Sequence, residues 1–141
     1  MRIARVVPGP AVRAVVLVAL ASAGCASGLN RPVKEVTATS DTQGVQRVRL
    51  ETHAFYFEPN RIVVKAGHPV EIEIHNKSTM VPHNFTLKAP DGGLDVEKDV
   101  RWFGGHGVVR FTPDKPGEYL FYCDKDSHMR KGMKGTFVVR P

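Results

Sequence analysis

The chain reads as an all-β protein, a Greek-key β-sandwich of about eight strands. Three observations predict this. From Val45 onward, short apolar segments alternate with polar residues at the two-residue period of half-buried strands. Turn-forming residues such as Ala66-Gly67, Asp91-Gly92-Gly93, Pro113, Pro116 and Gly117 separate them at regular intervals. No stretch carries a convincing helical period, although 94–103 is ambiguous and has room for a short helix.

Ahead of the strands lies a segment of different character. Arg2, Arg5 and Arg13 form a basic start with no acid before Glu35, and an apolar run occupies 14–23. That run is shorter than the roughly 20 residues needed to span a bilayer, so residues 1–24 are expected to be a signal peptide. Ala21-Ser22-Ala23 is one processing site, releasing a chain that starts at Gly24. Ser22-Ala23-Gly24-Cys25 instead resembles the lipobox of bacterial lipoproteins, with Ser22 where that motif more often has Leu, and would leave a lipid on Cys25. The expected location is therefore outside the cytoplasmic membrane, in a periplasm or at the outer membrane face, with Cys25 as the anchor. Residues 25–44 are small and polar without useful periodicity, and are expected to form a flexible linker.

The sandwich itself is expected at 45–141. Val48 and Leu50 alternate with Arg47 and Arg49, Phe55 and Phe57 flank Tyr56, and 62–64 is Ile-Val-Val. Val70, Ile72 and Ile74 alternate strictly with Glu71, Glu73 and His75, the clearest half-buried strand. Phe85 with Leu87, then 108–111, 119–122 and 136–139 complete the set. Gly117-Glu118-Tyr119 resembles the tyrosine corner of Greek-key sandwiches.

Charge and cysteine content narrow the function. Losing Arg2, Arg5 and Arg13 with the leader takes the formal charge from +6 to +3. No basic run interleaves with aromatics, so nucleic acid is not an expected partner. Of the two cysteines, Cys25 is expected to be lipidated or removed, which leaves Cys123 without a disulfide partner. A free thiol in an oxidising compartment calls for another explanation, and metal ligation supplies one.

The residues around Cys123 fit that explanation. Four residues separate Cys123 from His128, and four separate His128 from Met133, on one loop before the last strand. His83 stands forty residues upstream in Val81-Pro82-His83-Asn84-Phe85. A thiolate, two imidazoles and a thioether make the ligand set of a blue-copper site. Strand parity puts Tyr119, Phe121 and Cys123 on one face and Leu120 and Tyr122 on the other, so Cys123 points inward if Phe121 is core. Met129 also lies on the loop but directly follows His128, which directs it toward the surface; Met80 is read as packing. His53, His68, His75 and His106 lack paired ligand spacing and are read as solvated or structural.

The segments 70–85 and 116–139 resemble the cupredoxin family of small blue-copper proteins. The resemblance implies four ligands to one type 1 copper: His83, Cys123, His128 and Met133. Both four-residue spacers are similar to those of auracyanin and rusticyanin rather than plastocyanin. Asn84 matches a residue that helps fix the ligand loop by hydrogen bonding. The family's activity implies a one-electron carrier rather than an enzyme, with His128 as the partly exposed ligand for electron entry and exit. Its rim departs from the apolar patch of many members, with Asp124, Lys125, Asp126, Arg130, Lys131 and Lys134 making it charged and net basic. That favours an acidic redox partner, such as a cytochrome or a terminal reductase or oxidase; the carrier is expected to be a monomer. Two other readings stay open: copper handling as a chaperone or store, and service as an accessory copper domain of a membrane oxidase or reductase. A dinuclear copper centre would need two cysteines on the loop, and a copper nitrite reductase would need a further copper site and a longer chain.

Overall fold

The computed structural model describes residues 30–141; the expected signal peptide, Cys25 and the first part of the expected linker lie outside them. Eleven strands occur in order: β1 (Glu35–Thr37), β2 (Thr39–Ser40), β3 (Gln46–His53), β4 (Tyr56–Glu58), β5 (Arg61–Lys65), β6 (Val70–Asn76), β7 (His83–Ala89), β8 (Leu94–Val100), β9 (His106–Phe111), β10 (Gly117–Tyr122) and β11 (Lys134–Arg140). One sheet runs β1-β5-β11-β10-β7-β8, and the other runs β2-β3-β6-β9 with β4 added to β3. No helix among the described residues is long and apolar enough to cross a membrane.

All eight segments predicted from sequence are strands. Three more were not foreseen. β8 replaces the possible helix: only Leu94 and Val100 at its ends are fully buried, as expected of an edge strand whose middle faces solvent. β1 and β2 lie inside the expected linker. Glu35, Val36 and Thr37 pair in parallel with Arg61, Ile62 and Val63, so from Glu35 onward the stretch is sheet rather than tether. Its side chains are mostly exposed, so backbone hydrogen bonding to a sheet edge, not burial, recruits it.

The sheets are mixed, with parallel as well as antiparallel pairs. β1 with β5, β5 with β11, and β3 with β6 run parallel. Each parallel partner must be reached by a crossover, and the chain crosses between sheets to do so. Val48, Leu50, Ile72 and Ile74 from one sheet, with Ile62, Val64, Phe85, Leu87, Phe121, Phe137 and Val139 from the other, fill the core. Phe57 and Phe85 pack on Phe121 at ring-centroid distances of 5.2 and 5.4 Å. The Tyr119 hydroxyl donates to the Lys115 carbonyl at 2.8 Å, the tie expected of a tyrosine corner.

Candidate metal centre

Two strand ends create the site. β10 runs inward-facing through Phe121, and Cys123 follows at its end with no solvent exposure, as the parity argument predicted. His83 opens β7, directly opposite Val100 at the end of β8. The loop from Cys123 closes on itself. The Cys123 N–H donates to the Met133 carbonyl at 3.1 Å, and the Met133 N–H donates to the His128 carbonyl at 3.0 Å. Gly132 at φ 98° lets the chain reverse just before Met133, which is fully buried.

The donors converge. Cys123 Sγ lies 3.4 Å from His128 Nδ1 and 4.0 Å from His83 Nδ1. The two rings stand 5.0 Å apart at 57°. His83 is wholly buried, and His128 is 6 % exposed, more covered than a partly exposed ligand was expected to be. The cover is Phe55, whose ring meets His128 edge-on at 4.9 Å. Phe55 sits in the tight turn between β3 and β4 at φ 66°, an uncommon backbone region for a bulky residue, and Lys131 Nζ lies 4.0 Å from its ring centroid.

Neighbouring polar groups orient the donors. Asn84 works as expected: its Nδ2 donates to Asp124 Oδ1 at 2.6 Å, and its Oδ1 accepts from the Asp124 N–H at 3.0 Å. The Asn84 N–H also reaches Cys123 Sγ at 3.4 Å. Ser78, not singled out from sequence, places its Oγ 3.1 Å from His83 Nε2. Asn76 holds Ser78 there by accepting its N–H at 2.8 Å, an Asx turn that Asn76-Lys77-Ser78 could have signalled. The Asn76 Nδ2 also donates to the carbonyls of Val81 and Arg101, joining the loops before β7 and after β8.

The electrostatics suit a soft cation. Burial pushes the Cys123 thiol up, partly offset by backbone N–H groups of Asn84 and Lys125. Burial, then the nearby His128 and His53, pushes His83 down to about 4, and burial followed by Lys131 lowers His128. Neutral imidazoles are ready donors, while the buried thiol needs a cation beside it to ionise. A thiol, two imidazoles and a buried thioether, all out of water, fit one type 1 copper.

The rim corrects two expectations. Met80 is 72 % exposed rather than packed. Trp102 and Phe103, which leave β8 at the end where His83 opens β7, are exposed as well, so this end carries apolar surface beside its charges. Lys125 is tied to Asp99 at 2.6 Å, while Arg130, Lys131 and Lys134 face solvent. Met129 is 38 % exposed, in keeping with its expected surface position.

Residues 12–139 match the family profile described as Cupredoxin-like domain. Reduced auracyanin from Roseiflexus castenholzii superposes with a TM-score of 0.61 at 19 % identity, covering 73 % of this chain and all of that one. Rusticyanin from Thiobacillus ferrooxidans gives 0.59 at 17 % identity, covering 81 % and 87 %. At these identities the likeness speaks for the fold alone. The copper-containing nitrite reductase of Neisseria meningitidis is 32 % identical over 89 residues, 59 % of this chain and 23 % of that enzyme. The chain spans less than a quarter of the length of the curated relatives it matches.

Proposed function

The chain belongs to the cupredoxin-like domain family and is a copper protein; from that premise we propose that it is a one-electron carrier and not an enzyme. His83 Nδ1, Cys123 Sγ, His128 Nδ1 and the Met133 thioether are the proposed ligands. One observation carries the reading: every donor is buried, with Phe55 over the outer edge of His128. Catalysis at a metal needs an open coordination position, and electron transfer does not. When bound, the copper supplies a one-electron couple. The protein supplies a donor cage fixed by two strand ends and by Asn84, Asp124 and Ser78, so little has to move when charge changes. His128 is the exit nearest solvent, through the edge that Phe55 covers.

The exposed Met80, Trp102, Phe103 and Met129 offer an apolar contact, and Arg130, Lys131 and Lys134 bias it toward an acidic redox partner such as a cytochrome or a terminal reductase or oxidase. Association with that partner is expected to weaken as salt rises. The leader expected at 1–24 and the lipobox-like Cys25 support a carrier held outside the cytoplasmic membrane, and radiolabelled fatty acid incorporated by the wild type but not by Cys25→Ser would support the anchor.

Copper addition to the purified protein tests the carrier role. An intense thiolate-to-Cu(II) band with a reversible potential is expected. Cys123→Ser abolishes the band, while Met133→Leu keeps it and moves the potential; Met129→Leu leaves both unchanged. Colourless, readily exchanged copper would instead favour copper hand-over, the reading to which the exposed thioethers of Met80 and Met129 lend themselves.

A further inference from the structure

A second group of donors lies on the outer face of the smaller sheet. His75 on β6 and His106 on β9 are direct cross-strand partners, with ring centroids 4.9 Å apart. Glu73 stands two residues before His75 and so projects from the same face. One donor atom from each of the three lies within 4.8 Å of the others. His75 and His106 are far apart in sequence, and no spacing rule links them; only the antiparallel register joins them.

The surroundings favour a ligand over a simple ion pair. His75 Nε2 is out of contact with solvent and has no hydrogen-bond partner among the described residues, and Glu73 Oε2 stands 3.6 Å away, beyond hydrogen-bond range. A buried ring nitrogen without a partner is costly, and a bound cation would satisfy it. On the neighbouring β3, Arg49 and Glu51 are the residues opposite Glu73 and His75. Glu51 is taken up by Arg49 and Lys77, each at 3.5 Å. Glu73 is thereby left as the carboxylate for His75. The pair is also held in place: the Asn76 N–H donates to the Gly105 carbonyl at 2.8 Å, locking the strand positions next to both histidines.

We propose that Glu73, His75 and His106 form a second, solvent-open cation site that takes Cu(II) or Zn(II). Two imidazoles and a carboxylate suit these borderline ions; calcium and magnesium prefer oxygen donors, and Cu(I) prefers sulfur. Glu73 and His106 are exposed, so water completes the coordination. The site shares no residue with the buried thiolate centre and stands or falls apart from the carrier reading.

The test begins with protein already holding one equivalent of copper. Titration with CuCl2 or ZnCl2 is followed by calorimetry and, for copper, by electron paramagnetic resonance and the visible band. One further equivalent is expected, with a Cu(II) signal that adds no intense thiolate band. His106→Gln and His75→Gln each lose that equivalent and leave the first copper's band unchanged; His68→Gln keeps both. Circular dichroism and thermal melting establish that the variants are folded. Absence of a further equivalent in the wild type overturns the proposal, as does its retention by folded His106→Gln.

Discussion

The free nitrogen of His83 is the one that does not carry the ring proton, and Ser78 Oγ, 3.1 Å from Nε2, can accept that proton there. With the ring proton on Nε2 donated to Ser78 Oγ, Nδ1 keeps its lone pair toward Cys123. Ser78→Ala is expected to weaken copper binding about tenfold, read by competition with a copper chelator, while the fold persists. His83 itself predicts a pH dependence for the copper-free protein. Its folded value of about 4 lies below the ordinary 6.5, so between these values the unfolded chain takes up a proton that the native site refuses. Stability from this group is complete above pH 6.5 and drains away as pH falls toward 4, by about 3 kcal/mol at most. Urea midpoints at pH 7 and pH 4.5 should differ more in the wild type than in His83→Gln. The proposed ligand residues stood out in sequence because their chemistry is rare and three of them share a loop. Phe55 and Ser78 did not, since one Phe beside a strand and one Ser in a loop are ordinary until their neighbours are known.

Strands set the direction in which those residues point. Phe121 on β10 faces Gly135 on β11, and a Cβ at Gly135 would run into the Phe121 ring and the Asn60 carbonyl. The absent side chain therefore leaves room for the Phe121 ring, two residues before Cys123. Gly135→Ala is expected to cost about 1–3 kcal/mol in denaturant unfolding and to shift the copper potential, because a displaced Phe121 moves the cysteine. Apolar alternation revealed the inner strands such as β6 and β10. β8 escaped notice because Asp95, Glu97, Lys98 and Asp99 carry no such alternation, and an edge strand has little apolar burial to advertise. β1 escaped for a related reason: it is held by the backbone of β5 through Glu35, Val36 and Thr37, and backbone pairing leaves little mark on side-chain choice.

At the scale of the whole molecule, the core is complete without the metal. Phe57, Phe85, Phe121 and Phe137 are buried within a sandwich that continues well beyond the ligand end. Removing copper should leave the far-ultraviolet circular dichroism unchanged and lower the melting temperature. Restoring copper at 100 times its dissociation constant should return about 2.7 kcal/mol. Loss of the β spectrum on copper removal would mean that the metal organises the fold. The sequence by itself determined the all-β class, the inward Cys123 and the identity of the four proposed copper ligands, because periodicity and donor chemistry are local properties. Only the tertiary structure decided the mixed strand order, the Phe55 cover over His128 and the meeting of His75 with His106, because register and crossover bring together residues that no local pattern connects.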